Sequence, residues 1–340
     1  MGVSGLNWLC EQPCAILSAL SNSPGDSMTS EKIARALPPL AASRASSPQD
    51  AAARQQAREH RDAQVRGVAS IDAMRVAIRR AAHALPALAE VPHMGKLDAA
   101  GLRAQAALGL PFLVTGIVGR WPLAALTPHT LREQFSHLPV RARVGDYVDT
   151  AFAADRPMQD MSMLEYLDLI EAGTQGLPPY LGNLELRELN RLCHWPTLFD
   201  KMGPPRFWLG PAGTVTPLHC DYDDNIFAQI WGSKRIFLAP PHHDEFLYPR
   251  EANAILFGSP FDPEAPDYDK FPLARHAALV EVIVQPGDLL YVPAGWYHQV
   301  RSLSFSLSAN RWARALPLAL HGASSLGRID QGPLPSNDKI

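Results

Sequence analysis

Between about residue 92 and Pro204, the chain contains segments whose apolar residues recur at helical spacing. Thr127 followed by Pro128 is a common helix start, because threonine caps free backbone N–H groups and proline fits the first turn. Ser162 and Glu165 form the pattern of a capping box, and Gly173 is a typical helix end. We therefore predict one helix that starts at Pro128 and another between Ser162 and Gly173.

After Pro204 the pattern changes to short runs rich in aromatic, β-branched and leucine residues, separated by turns. These runs include RFWLG, NIFAQIW, KRIFLAPP, LVEVIV and FSLSANRW. Short runs of this kind, bounded by glycine, proline and aspartate, are typical of strands in a sandwich or barrel. The pattern predicts a mainly β domain with flanking helices.

The first 90 residues follow neither pattern, because they are rich in alanine and contain the Ser/Pro-rich stretch PPLAASRASSPQD. This composition favours a partly helical or mobile extension. One apolar stripe predicts a helix that covers either the main domain or a partner chain; its members are Ile71, Met74, Ile78, Ala82 and Leu85. We expect an extension over 1–90, a main domain over 91–315 and an irregular tail over 316–340.

Composition and charge narrow the class of protein. No apolar run approaches the roughly 18 residues of a membrane span, so we expect no membrane association. The net charge of -3 argues against a generally basic surface, so we expect no DNA partner. Four scattered cysteines are too few for a disulfide scaffold. The start of the chain carries Glu11 and no basic leader, so we expect a cytoplasmic protein.

Two motifs carry the candidate chemistry. In TPLHCDYDDN, His219 and Asp221 share one face of a strand, while Cys220 points away. An imidazole beside a carboxylate supplies two ligands of a 2-His-1-carboxylate metal site, although His-x-Asp alone also suits a polar strand end. GDLLYVPAGWYH adds His298 at the end of the spacing Gly-x5-Pro-x-Gly-x2-His. The three residues together predict a metal site.

Lys234 is the candidate partner for an anion. It shares a strand face with Ile236 and Leu238, and a lysine among apolar neighbours requires a buried anion. The alternative is a solvated lysine on the outside of a barrel. Three protein ligands leave adjacent metal positions open for a bidentate 2-oxo acid and dioxygen, as in non-haem Fe(II) oxygenases.

These motifs resemble those of the cupin-like JmjC hydroxylases, nearest to the asparaginyl hydroxylases that inhibit hypoxia-inducible factor. Segments 214–249, 286–300 and 309–312 carry the resemblance, which covers about 92–315. It implies a double-stranded β-helix, the cupin jelly roll, and an enzyme that uses Fe(II), 2-oxoglutarate and O2. Such an enzyme hydroxylates an unactivated C–H bond.

The resemblance also implies roles for the matching residues. His219, Asp221 and His298 would ligate iron. Lys234 and Thr216 would bind the distal carboxylate of 2-oxoglutarate.

Further matches are expected around these residues. Tyr180, in PPYLGN, would help to bind the same carboxylate. Asn225 and Asn310 would lie near the metal and the head of 2-oxoglutarate, unless they are turn or edge-strand residues. Trp296 and Trp312 would form walls of the site, unless they are ordinary core residues.

The substrate and the assembly stay open at this point. A protein or peptide side chain is the leading substrate, and a small metabolite or an RNA base is the alternative. Other classes are a cupin dioxygenase that does not use 2-oxoglutarate, and a metal-binding sensor without activity. Too few residues follow Arg314 for the helix pair that forms the dimer in the asparaginyl hydroxylases. The oligomeric state is therefore open, with a homodimer among the alternatives.

Overall fold

The computed structural model describes most of the chain after residue 86. The described residues are 78–79, 82–83, 85, 87–153, 156–173, 175–196, 202–221, 223–250, 256–313, 318–320 and 323–326. The predicted stripe members Ile71 and Met74 lie outside them.

Short helices surround the strands. They are α1 Ala99–Ala107, α2 Pro128–Phe135, α3 Met163–Ala172 and α4 Arg187–Asn190. Helix α2 starts as predicted, with Thr127 Oγ1 accepting the Thr130 N–H at 3.1 Å. Helix α3 has the predicted capping box between Ser162 and Glu165 and ends at Gly173, whose φ is +76°. No helix in the described ranges is both long and apolar enough to cross a membrane.

Strands dominate the second half of the chain, as predicted. Over all described residues, the strands are β1 His93–Met94, β2 Phe112–Val114, β3 Pro139–Arg143, β4 Met158–Ser162, β5 Leu181–Leu184, β6 Arg206–Gly210, β7 Val215–Asp221, β8 Asp224–Trp231, β9 Lys234–Ala239, β10 Leu256–Gly258, β11 Val280–Val284, β12 Leu289–Val292, β13 Tyr297–Ser302, β14 Ser306–Ala313, β15 Leu318–Leu320 and β16 Ala323–Leu326.

Two large sheets form the fold. The five-stranded sheet has the order β10-β7-β13-β9-β11, and the seven-stranded sheet has the order β1-β2-β12-β8-β14-β6-β5. Apart from the parallel β1–β2 pair, the pairings within both sheets are antiparallel. This arrangement is the jelly-roll sandwich, and it confirms the predicted double-stranded β-helix.

The main core lies between these two sheets, because its cluster draws inward side chains from both. The five-stranded sheet supplies Ile236, Leu238, Val282, Val284 and Val300, and the seven-stranded sheet supplies Leu113, Phe227, Leu290 and Val292. Burying these apolar surfaces together is the main force that holds the sheets face to face.

The described part of the N-terminal stripe packs on the main domain. Ile78 and Ala82 are buried, and Ile78 belongs to a core cluster with Cys220, Leu247 and Phe257. The sequence left open whether the stripe packs on the main domain or on a partner chain. These residues pack on the main domain of their own chain.

Two short strands lie in the C-terminal segment that we expected to be irregular. Strand β15 pairs antiparallel with β16. The remainder of 316–340 lies outside the described residues.

Candidate active site

Strand β7 presents two of the predicted metal ligands to a cavity between the sheets. His219 and Asp221 line this cavity, and both are buried. Cys220, between them, faces the opposite side and packs in the core cluster with Ile78. The alternation of side chains along a strand produces this division, as the sequence predicted.

Strand β13 places His298 beside them. It lies directly opposite His219 in the antiparallel pairing, and the two ring centroids are 4.2 Å apart. The preceding turn contains Gly295 at φ +79°, a backbone conformation that favours glycine. The Gly295 N–H donates to the Asp221 carbonyl at 2.6 Å, which joins this turn to the end of β7.

Both histidines have one ring nitrogen held by the backbone. Nδ1 of His219 lies 2.8 Å from the Pro217 carbonyl oxygen, and Nδ1 of His298 lies 3.1 Å from that of Trp296. A carbonyl only accepts, so each Nδ1 carries the proton and each Nε2 offers a lone pair. Burial, helped by the neighbouring His298, lowers the pKa of His219 to about 4. The imidazole of His219 is therefore neutral at physiological pH, as a metal ligand must be.

The three side chains fit a divalent metal ion. Their ligand atoms all lie within 4.8 Å of one another, and His298 Nε2 lies 3.9 Å from Asp221 Oδ2. Trp312 Nε1 donates to Asp221 Oδ2 at 2.8 Å and fixes the orientation of the carboxylate. Two imidazoles and one carboxylate are the donors that non-haem Fe(II) favours, and this set leaves further coordination positions open.

Lys234 also lines the cavity and is only 1% exposed, so it is not on the solvated outside of the barrel. Its Nζ donates to Ser308 Oγ at 2.8 Å and lies 3.5 Å from the Tyr180 hydroxyl. Burial lowers the pKa of Lys234 to about 7. The surrounding hydroxyls solvate an ammonium without neutralising it, so the position suits one end of a small anion.

The other predicted residues surround the same cavity. Thr216 and Tyr180 both line it. Burial raises the pKa of Tyr180 well above its ordinary value, so its hydroxyl stays protonated. Asn310 Nδ2 donates to Asn225 Oδ1 at 2.8 Å, so both amides face the cavity rather than a turn.

The two tryptophans differ. Trp312 lines the cavity, as expected. The expectation for Trp296 is wrong, because this residue packs in the main core and its Nε1 donates to the Gly109 carbonyl at 3.1 Å. Trp296 lies before the start of β13, so strand alternation does not fix its direction, whereas Trp312 follows Asn310 at strand period on β14.

The cavity has a volume of about 100 Å³, and sequence reasoning missed some residues that line it or contact its lining. Ser308 could have been found, since it lies two positions before Asn310 on β14 and therefore shares its face. Phe152 packs against His219 with ring centroids 4.9 Å apart, and it lies in a segment without a strand pattern. The cavity is also lined by Arg143 and Arg206, two arginines that no motif marks.

The comparisons with known proteins agree with this fold. The family described as "Cupin-like domain" matches residues 99–317, well over half of the chain. The chain belongs to this cupin-like family.

Several relatives carry the Jumonji C name, which confirms the resemblance drawn from the motifs. The chain is 41% identical over 105 residues to Jumonji C domain-containing protein 5 of Drosophila melanogaster, covering 31% of this chain and 26% of that protein. It is 42% identical over 105 residues to lysine-specific demethylase 8 of Xenopus tropicalis, covering 31% and 24%. It is 29% identical over 160 residues to the human bifunctional peptidase and (3S)-lysyl hydroxylase JMJD7, covering 40% and 48%. The chain thus spans about a quarter to a half of the length of these relatives.

Proposed function

We propose that this chain is an Fe(II)- and 2-oxoglutarate-dependent oxygenase that hydroxylates an unactivated C–H bond of a protein or peptide side chain. One observation carries the proposal: a buried His-Asp-His cluster and a buried lysine line the same cavity between the two sheets. The names of relatives support a protein substrate, since they describe a lysine-specific demethylase and a lysyl hydroxylase.

His219, Asp221 and His298 would hold the iron. When bound, Fe(II) allows O2 to be reduced while 2-oxoglutarate is oxidised to succinate and CO2, and one oxygen atom is inserted into the substrate C–H bond. The residues around it fix the ligands: backbone carbonyls hold both imidazoles in one tautomer, and Trp312 holds Asp221. Phe152 covers one side of His219 and excludes water there.

Lys234 would pair with the distal carboxylate of 2-oxoglutarate. Ser308 and Tyr180 direct its ammonium, and the Thr216 hydroxyl adds a neutral donor. Asn225 and Asn310 offer amide groups to the same cavity and would lie near the head of the co-substrate. A dioxygenase without 2-oxoglutarate has no use for a buried lysine at this place.

The test is succinate formation by the purified full chain, supplied with Fe(II), 2-oxoglutarate and air. We expect turnover that disappears on removal of iron and in the variants His219→Ala and His298→Ala. The matched control is His129→Ala, since His129 is an exposed histidine on α2. Tight iron binding by an Asp221→Ala/His298→Ala variant would refute the metal assignment. Oxygen consumption without succinate would point to a direct dioxygenase instead.

A further inference from the structure

A buried arginine in the cavity has no place in the chemistry described so far. Arg143 ends β3 and is 4% exposed. Its backbone forms a bridge with Tyr180, which brings it to the cavity wall. The guanidinium carbon lies 5.4 Å from the centre of the Trp208 ring and 5.7 Å from that of Tyr180. The charge is thus held between aromatic rings at a fixed position.

Two of the three guanidinium nitrogens of Arg143 lack polar partners among the described residues. Its Nε and Nη1 are buried and have no hydrogen-bond partner within the described part of the chain. Burial lowers the pKa of Arg143, and the neighbouring groups that oppose this shift are the hydroxyls of Tyr180 and Tyr147. A buried cation held only by neutral groups is costly for a fold, because its hydration is lost without replacement. Such a group is expected to receive an anion from outside the chain.

The co-substrate does not supply that anion. Under the proposed function, Lys234 and its surrounding hydroxyls take the distal carboxylate, and the other end of 2-oxoglutarate faces the metal. Arg206 is the other cavity arginine, and it already lies 3.4 Å from Glu185. Arg143 is therefore available to bind a ligand other than the metal ion and 2-oxoglutarate.

Arg143 also lines the cavity that contains the three predicted metal ligands. A lysine side chain, which the names of relatives describe as a substrate, would meet a like charge here. An acidic side chain would instead form charge-assisted hydrogen bonds with the free guanidinium nitrogens.

We infer that Arg143 is a specificity-determining residue that binds a carboxylate of the substrate. The oxygenase then selects a peptide segment with an aspartyl or glutamyl side chain at or beside the oxidised residue. This inference rests on the proposed function.

Peptide binding tests the inference directly. Three labelled peptide pools share one layout and differ only at the central position, which is Asp/Glu, Asn/Gln or Lys/Arg. Fluorescence polarisation is measured with the full chain, Fe(II) and 2-oxoglutarate under nitrogen, so that binding is read without turnover. We expect the acidic pool to bind the wild type at least about tenfold more tightly than the amide pool, the effect of a charge-assisted hydrogen bond.

Variants then assign the preference to one residue. Arg143→Gln should remove the preference for the acidic pool, and Arg143→Lys should retain part of this preference. Arg143→Glu should bind the basic pool more tightly than the acidic pool. Arg141→Gln is the matched control, because Arg141 lies on the same strand but pairs with Asp160 in solvent. The comparison of pools on the wild type needs no variant, so it decides the question even if Arg143→Gln does not fold.

Two results would overturn the inference. One is equal binding of the acidic and amide pools to the wild type, including no measurable binding of either. The other is a rise of tenfold or more in the 2-oxoglutarate concentration for half-maximal succinate formation by Arg143→Gln, which would assign the arginine to the co-substrate. Succinate formation by the wild type in air, without peptide, separately decides whether the proposed function holds.

Discussion

At the scale of single residues, the cavity combines two kinds of polar group. The hydrogen bonds of His219 and His298 leave both Nε2 atoms unused, and Trp312 fixes the carboxylate of Asp221. Lys234 is held only by neutral hydroxyls. The His-Asp-His cluster suits a cation and Lys234 suits an anion. Metal binding and 2-oxoglutarate binding can therefore be tested separately.

Removal of the Lys234 charge should weaken 2-oxoglutarate and leave iron in place. A charge-assisted hydrogen bond contributes about 1.5–3 kcal/mol, so Lys234→Ala should raise the Kd by roughly 10- to 150-fold. Thr216→Val removes a neutral hydroxyl and should cost about 1 kcal/mol. Both values come from titration of 2-oxoglutarate into the iron-loaded protein. If Lys234→Ala binds 2-oxoglutarate with the same Kd as the wild type, Lys234 does not bind the carboxylate of this co-substrate.

The affinity for 2-oxoglutarate should also fall as the pH rises above neutrality. The pKa of Lys234 is lowered to about 7 in the free protein, whereas pairing with a carboxylate requires the ammonium form. Above pH 7, binding must therefore take up a proton, and the Kd should rise by up to about tenfold per pH unit. Tyr180, its titratable neighbour, has a raised pKa and stays neutral in this range.

Titrations between pH 6 and 9 measure this slope. In Lys234→Arg the cation does not titrate in that range, so the slope should be absent. A wild-type Kd that is constant from pH 6 to 9 would show that Lys234 stays charged without its ligand.

At the scale of elements, the turn between β12 and β13 determines where His298 lies. Gly295 has φ +79°, and a Cβ built on it would lie 2.6 Å from Ile78 Cγ2 and 3.3 Å from Pro241 Cγ. Gly116 has a similar φ of +72° but nothing within 4 Å of an added Cβ. The two glycines therefore separate backbone strain from crowding.

Gly295→Ala should destabilise the protein more than Gly116→Ala. The left-handed backbone alone costs roughly 1–2 kcal/mol for alanine, and crowding against Ile78 should add about 1–3 kcal/mol. Denaturant unfolding of both variants measures the difference in free energy. The double variant Ile78→Ala/Gly295→Ala should recover part of the crowding cost. Equal losses for the two glycine variants would mean that Ile78 moves away freely.

Helix ends, strand faces and short motifs were the features of this structure that the sequence predicted best. The capping residues of α2 and α3, the strand alternation around Cys220 and the spacing before His298 are local patterns, and the structure follows them. Arg143 was not predictable, because strand alternation places Arg141 and Arg143 on one face. The bridge to Tyr180 buries one of them and leaves the other in solvent. That difference depends on a long-range contact, which a local pattern does not contain.

At the scale of the whole molecule, the predicted metal ligands and Lys234 lie on strands of one sheet, which shares its core with the other. We expect deletion of residues 1–60, which lie outside the described residues, to leave iron-dependent 2-oxoglutarate turnover intact. The reason is the composition of this segment and the beginning of the family match at residue 99. Succinate formation and solubility of the shortened protein measure the outcome.

A longer deletion should behave differently from the 1–60 deletion. Removal of residues 1–85 also removes Ile78 and Ala82, which exposes the apolar surface around Cys220 and the Gly295 turn. This protein should be less soluble and less stable than the 1–60 deletion. Loss of solubility already in the 1–60 deletion would show that the first segment packs on the domain.

The two halves of the candidate site come from different parts of the fold. His219, Asp221, His298, Thr216 and Lys234 all belong to β7, β9 and β13 of the five-stranded sheet. Arg143 lies on β3, outside that sheet. Under the inference for Arg143, a reversal of charge on β3 would change substrate choice, while the predicted metal ligands and Lys234 stay in place on other strands. In evolutionary terms, a descendant would then acquire a new target without new metal chemistry.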